Sequence, residues 1–244
     1  MPDRQTHERQ THEHQTHEHR TSGHDTQQAH APHGTDQPDS TDPAVFWEEF
    51  YGHGRRPWSG RPNALLVEEL ASRPLTPATV LDLGSGTGGD ALWFAGLGWT
   101  VTGVDLSATA LAIAAQAADE EGRASTITFL RCDLTTDFPT GSWDLVVASY
   151  LQSPVALDRD LVLRRAAAAV APGGTLLVLG HERFPASHQG ALTELPTTFD
   201  VLASLDLTGW TVVRAEPVAV QHASADSGHD ERFDHVIRIR KNPR

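Results

Sequence analysis

The run Val80-Leu81-Asp82-Leu83-Gly84-Ser85-Gly86-Thr87-Gly88-Gly89-Asp90 decides the fold, together with Ala91 to Leu97 and Thr100-Val101-Thr102-Gly103-Val104-Asp105 behind it. It reads as strand, glycine turn, helix, strand and acidic residue. Val80, Leu81 and Leu83 predict a short strand buried on both faces. Gly84, Gly86 and Gly88 permit a tight turn with no Cβ between backbone and ligand. Ala91 to Leu97 has helical spacing, and Gly98 stands where a helix stop is expected. Val101 and Val104 predict a second strand ending at Asp105. A carboxylate there can accept both hydroxyls of a ribose, so the stretch reads as a nucleoside-cofactor site.

Two cofactors compete for it. Gly84, Gly86 and Gly89 fit the dinucleotide pattern G-x-G-x-x-G, with Asp105 at about the expected 20-residue spacing, which is the NAD reading. Asp82 extends the pattern to Asp-x-Gly-x-Gly-x-Gly. A carboxylate beside the turn repels a pyrophosphate and favours the ammonium and sulfonium of S-adenosyl-L-methionine. A third strand is predicted over Ile127 to Leu134, with Asp133 near its end suited to the exocyclic amine of adenine. A fourth runs from Trp143 to Tyr150. Helices are predicted from Ala108 to Glu121, capped by Ser107 with Leu111, Ile113 and Ala114 inward, and from Asp158 to Ala171. The second has Leu161, Leu163, Ala166, Ala167 and Val170 on its core face and is closed by Pro172-Gly173-Gly174 before the strand Thr175 to Leu179. Strands alternating with helices predict a parallel sheet with helices on both faces. Ligands then lie at the carboxyl ends of the strands, where Gly84, Asp105, Asp133 and Ser149 fall.

From Phe46 onward this ordered set resembles the class I S-adenosylmethionine-dependent methyltransferases. The resemblance implies a Rossmann-like, mostly parallel seven-stranded sheet whose last strand inserts antiparallel beside the fifth. It implies a methyltransferase with Asp82, Gly84, Ser85, Gly86, Gly88, Asp105, Leu106, Asp133, Leu134 and Ser149 as cofactor-binding residues. Phe46-Trp47-Glu48-Glu49-Phe50-Tyr51 followed by Trp58-Ser59-Gly60-Arg61-Pro62-Asn63 looks like the amino-terminal lid of small bacterial enzymes similar to the tellurite-resistance and thiopurine methyltransferases. By that likeness residues 44–63 fold over the cofactor and wall the acceptor pocket, with Trp58 packed near the cofactor. The alternative for Trp47, Tyr51 and Trp58 is a hydrophobic cap on the sheet edge, the reading favoured for Trp47.

Residues 1–43 form a separate block holding three copies of a five-residue unit, Thr6 to Gln10, Thr11 to Gln15 and Thr16 to Arg20. With few apolar side chains to bury, it predicts a disordered tail ahead of a domain over 44–244. The pairs His12/His14 and His17/His19 suit weak metal capture, against the plainer reading of a solvated low-complexity extension. A net charge of −13 gives a nucleic-acid substrate no electrostatic help, so none is expected. No apolar run approaches the roughly 20 residues of a membrane span, and the polar amino terminus does not resemble a signal, so a cytoplasmic setting is expected. Cys132 is the sole cysteine, and no metal centre is expected in the folded part.

A thiolate or metalloid oxyanion acceptor needs no side-chain base, whereas an alcohol or ammonium needs one. Tyr150 and His181, after the fourth and fifth strands, are the candidate catalytic residues. The expected function is methyl transfer from S-adenosyl-L-methionine to a small-molecule acceptor such as a thiol or metalloid oxyanion. The alternatives are an NAD-dependent oxidoreductase and a non-catalytic S-adenosylmethionine sensor.

Overall fold

A computed structural model describes residues 38–52, 60–184, 195–220 and 232–243. The lead strand forms as β1 (Thr79–Leu83), and its residues alternate between two cores. Leu81 and Leu83 pack on one side and Val80 on the other, all three fully buried. Period-2 side chains that are apolar on both faces can be satisfied only by cover on both faces. That cover is α2 (Ala64–Ser72) and α3 (Gly89–Gly96) on one side. On the other lie α5 (Arg159–Ala169) and α6 (Thr198–Ala203). Between them β1 pairs in parallel with β2 (Thr100–Asp105) and β4 (Trp143–Ser149). The sheet is completed by β3 (Ile127–Arg131), β5 (Val170–Arg183), β6 (Trp210–Val220) and β7 (Arg232–Lys241).

The strand order is β3-β2-β1-β4-β5-β7-β6, with β7 antiparallel to both β5 and β6. The expected seven-stranded, mostly parallel Rossmann-like sheet is therefore present. The reversal of strand order at β1 opens a crevice beyond its carboxyl end, which is where the glycine turn lies.

Helix ends follow their capping residues. Asn63 Oδ1 accepts the amides of Leu65 and Leu66 to start α2. Ser107 Oγ accepts the Ala110 amide to start α4 (Ala108–Glu120). Such caps contribute about 1 kcal/mol each. The aromatic stretch forms α1 (Pro43–Gly52), which packs on α4, so that Trp47 lies against Phe50, Tyr51 and Ala110. The sheet-edge cap read for Trp47 is thus corrected. An aromatic helix face finds its apolar partner on another helix.

Three further boundaries depart from the sequence reading. The third strand stops at Arg131, and Cys132 to Leu134 turn away. The second long helix ends at Ala169, and Val170 opens β5 opposite Trp143. Pro172-Gly173-Gly174 therefore sits within the β5 span at a register shift and not at a helix stop. Finally, β5 runs on to Arg183, because β7 supplies antiparallel partners past the end of β4. His181 and Glu182 consequently lie in a strand. On the helices, Ile113, Leu161 and Ala167 are only half-buried, while Val162 and Ala169 are buried in their place.

One buried charge ties the two halves together. Glu69, fully buried on α2, meets Arg73 at 3.2 Å, Arg214 of β6 at 2.6 Å and Arg238 of β7 at 3.2 Å. An ion buried this deeply persists only where its charge is met. No helix among the described residues is long and apolar enough to cross a membrane.

Candidate cofactor and acceptor site

The glycine turn is stitched to β2 by the Ser85 amide, which donates to the Val104 carbonyl at 2.9 Å. Gly84 has φ +70°, and a Cβ there would come within 2.7 Å of Leu151 Cδ1. Gly86 has φ +52°, with the Tyr51 hydroxyl 3.0 Å from where its Cβ would stand. Both positions need glycine for conformation and for space. Tyr51 belongs to α1 and rests on the turn itself.

Three carboxylates surround this turn. Asp105 Oδ2 accepts the Gly86 amide and Oδ1 the Ser107 amide, each at 2.9 Å. Each oxygen keeps a lone pair for a further donor. Asp90, in the first turn of α3, accepts the Asn63 amide at 2.6 Å. Asp82 is 2% exposed, and its Oδ2 has no hydrogen-bond partner among the described residues. Burial, followed by the charges of Asp90 and Asp105, pushes the Asp82 carboxyl well above its usual range. Burial also raises Asp90, against the Asn63 amide and the Ser149 hydroxyl, and raises Asp105 against its amide donors.

Next to Asp105, Glu48 of α1 accepts the hydroxyls of Ser107 at 2.9 Å and Thr109 at 2.6 Å. A carboxylate at the amino end of α4 also meets its dipole favourably. Leu106 gives its carbonyl to Arg131 Nε at 3.1 Å. Asp133 is half-buried and accepts the Thr135 amide in a local turn. Leu134 is buried in the core, while Cys132 is buried with its thiol pushed up to about 11 by burial and by Asp137 and Asp133. Trp58 lies outside the described residues.

At the carboxyl ends of β4 and β5 the two residues singled out as catalytic come together. Tyr150 Oη donates to Asp234 Oδ2 at 2.5 Å, and His181 Nδ1 lies 2.9 Å from Oδ1 of the same carboxylate. Their rings are 4.6 Å apart. Arg232 Nη2 adds a third donor to Asp234 at 2.9 Å. Sequence reasoning missed Asp234. Its available signal was an acidic residue inside the strand-like run Phe233 to Ile239. Asn63 links the two sides, since its amide reaches Asp90 and its side chain stabilises the Tyr150 phenolate form.

Residues 80–174 match the family model described as a methyltransferase domain. The glycine turn and strands β2, β3 and β4 fall inside that match. The fold is that of the class I methyltransferases. Curated proteins similar to this chain include the ribosomal RNA small subunit methyltransferase C of Alcanivorax borkumensis, 30% identical over 58% of this chain and 43% of that protein. Another is the ubiquinone/menaquinone biosynthesis C-methyltransferase UbiE of Cellvibrio japonicus, 32% identical over 53% of this chain and 52% of that protein. The chain thus spans about half the length of the curated relatives it matches. Among solved structures, one from work on the conversion of a disulfide bond into a thioacetal group during echinomycin biosynthesis has a TM-score of 0.62 at 25% identity, covering 82% of this chain and 92% of that one. TehB from Haemophilus influenzae has a TM-score of 0.56 at 14% identity, covering 81% and 67%, which is a likeness of fold.

The site fits S-adenosylmethionine, the cofactor of methyltransferases of this fold. Asp82 Oδ2 awaits a donor, and an acidic turn attracts an ammonium and a sulfonium. The same charges oppose a pyrophosphate.

Proposed function

We propose that this chain is a methyltransferase carrying a methyl group from S-adenosylmethionine to a small-molecule acceptor, a thiol, a metalloid oxyanion or a similar nucleophile. One observation carries the reading. Asp82, buried with its Oδ2 unpartnered among the described residues, lies in the field of Asp90 and Asp105 around a single glycine turn, an arrangement suited to a cationic nucleoside. S-adenosylmethionine bound there supplies a methyl already activated on sulfur. Alignment then becomes the protein's main task, and it is worth roughly 7–11 kcal/mol in well-oriented systems. On this reading Asp105 anchors the ribose and Asp133 and Leu134 the adenine, while Tyr150 and His181 stand on the acceptor side.

The lid reading for 44–63 draws support from both flanks of residues 53–59. Tyr51 rests on Gly86 before them, and Arg61 and Asn63 rest on Gly89 and Asp90 after them. Trp58 would then be a neighbour of the cofactor. A chain carrying −13 suits a small neutral or protic acceptor better than a nucleic acid, in a cytoplasmic setting with the residues ahead of the α1 cap dispensable. Weak metal capture by the histidines of that block, which lies largely outside the described residues, is a separate property.

Calorimetry with S-adenosylmethionine, S-adenosylhomocysteine and NAD tests the cofactor. The first two are expected to bind and NAD is not. Release of S-adenosylhomocysteine with 2-mercaptoethanol, potassium tellurite, sodium selenite or phenol then tests the enzyme. Preferential NAD binding would restore the oxidoreductase, and binding without turnover the sensor.

A further inference from the structure

We propose that His181, oriented by Asp234, is the base that takes a proton from the methyl acceptor, so that the acceptor presents a hydroxyl or thiol rather than a metalloid oxyanion. This deepens the methyltransferase reading and rests on it. Asp234 is fully buried and receives Tyr150 Oη, His181 Nδ1 and Arg232 Nη2. Burial alone would raise its carboxyl, but the hydrogen bond and charge of His181, with Arg232 and Tyr150, hold it below the usual range. An ionised carboxylate only accepts. Nδ1 therefore carries the ring's proton, and Nε2 is the basic nitrogen.

Position and access fit the role. The His181 side chain is 14% exposed while that of Asp234 is sealed, so the base can be reached and its orienting group cannot. The ring lies between Tyr150, at 4.6 Å, and Phe184, at 4.8 Å. Gln152 holds its backbone twice, donating to the His181 carbonyl at 2.9 Å and accepting its amide at 2.8 Å. Leu151, the residue before Gln152, lies over Gly84. One short segment thus spans from the glycine turn to His181. Its first residue, Tyr150, holds φ +52°, a conformation that costs strain in a tyrosine and recurs at functional sites. Burial and the Asp234 charge push the Tyr150 phenol up, so it serves as a donor and not as the base.

The titratable and charged groups around the ring are Asp234, Arg232 and His235 of β7 and Tyr150 beyond β4. On its own strand Glu182 accepts the amide and hydroxyl of Thr198, and Arg183 covers the Phe233 ring. From α5, Arg159 acts on the neighbouring His235, which burial holds down at about 4. In the transfer, the acceptor's proton passes to Nε2 and its freed electron pair forms the bond to the methyl carbon. The carbon–sulfur pair stays on the departing thioether.

The test pairs a readout on the protein with one on turnover. In the long-range ¹H–¹⁵N spectrum of the full chain, His181 is expected as the Nδ1–H tautomer. Asp234→Asn should disturb it. His181→Asn keeps an N–H donor for Asp234 but has no basic nitrogen. It should lower phenol-dependent release of S-adenosylhomocysteine by about a hundredfold or more, remove the acid limb of the pH–rate profile and leave calorimetric affinity for S-adenosylmethionine unchanged. An Nε2–H tautomer in the parent protein would overturn the proposal. So would equal phenol rates in parent and variant, or turnover of tellurite alone. Failure to bind S-adenosylmethionine, scored first, would bring down the underlying reading together with it.

Discussion

Two buried carboxylate clusters divide this molecule, and they are met in opposite ways. Glu69 and Asp234, on the β5–β7–β6 side, are answered by arginines, Arg73, Arg214 and Arg238 for the one and Arg232 for the other. Around the glycine turn the charges of Asp90 and Asp105 fall on Asp82, and the donors to Asp90 and Asp105 are backbone amides. A fixed cation holds a buried acid in place, Glu69 to tie the scaffold and Asp234 to orient His181. Buried acids that repel one another hold free energy that a cationic ligand can release.

The largest test of that contrast is Glu69→Ala. Removing the acid strands three guanidinium groups, two of them almost fully buried or part-buried, and breaking a buried pair costs roughly 3–5 kcal/mol. Chemical denaturation should show a lower midpoint with the transition still cooperative. A loss below about 1 kcal/mol would mean that the network is solvated, as exposed pairs are.

Asp105→Ala comes next. It removes charge-assisted hydrogen bonds worth about 1.5–3 kcal/mol, so affinity for S-adenosylmethionine should fall about tenfold or more in calorimetry. Circular dichroism should stay unchanged. Unaltered affinity would place the ribose elsewhere.

Asp82→Asn should move stability the other way from Glu69→Ala. The folded Asp82 carboxyl titrates well above its usual value, so the native state holds a proton that the unfolded chain has released. Stability contributed by that group is present below the unfolded value and is lost as pH rises towards the folded one. The amide removes this loss, and the ligand-free variant should melt higher at neutral pH than the parent. It should also bind S-adenosylmethionine more weakly and lose the proton release expected when a cation ionises Asp82. A lower melting temperature at neutral pH would contradict the account.

How much of this was legible follows from which residues carry period. The glycine turn, Asp105 and the strand leading into the turn could be read because spacing and turn chemistry are local. The paired halves of the arginine side could not. Glu69 sits in Val67-Glu68-Glu69-Leu70, where an acid on a helix reads as a solvated face. Asp234 sits between Phe233 and His235, with Arg232 before them, and so reads as an outward residue of an edge strand. Only the insertion of β7 between β5 and β6 buries it. The length of β5 was hidden for the same reason, since its partner comes from some sixty residues further along the chain. The stretch Phe46 to Tyr51 was readable as an aromatic cluster. That Tyr51 rests on Gly86 while Trp47 packs on α4 is a tertiary outcome.

A smaller effect concerns the boundary between the cofactor turn and the loop at 53–59. If 44–63 acts as a lid, S-adenosylhomocysteine should slow cleavage near Arg55-Arg56 in limited proteolysis, and Trp58→Ala should lower turnover more than stability. Equal cleavage with and without the ligand would leave Tyr51 as a static cover of Gly86.

The smallest effect is expected at the amino terminus, where loss of the residues before 38 should leave both clusters unchanged. The first hydrogen bonds of α1 start at Asp42, whose Oδ1 accepts the amides of Ala44 at 2.8 Å and Val45 at 3.2 Å. Its carbonyl accepts the Phe46 amide, and Ser40 Oγ accepts the Asp42 amide. A chain beginning at residue 38 keeps all of these and should match the full chain in melting temperature and in S-adenosylmethionine affinity. A chain beginning at residue 44 loses the cap, at a cost of about 1 kcal/mol. Because α1 carries Glu48 to the amino end of α4 and Tyr51 to Gly86, that loss should also weaken cofactor binding slightly. The two truncations separate a composition argument from a capping argument. If the shorter cut already lowers affinity, residues before 38 touch the site, and the domain begins earlier than its first cap.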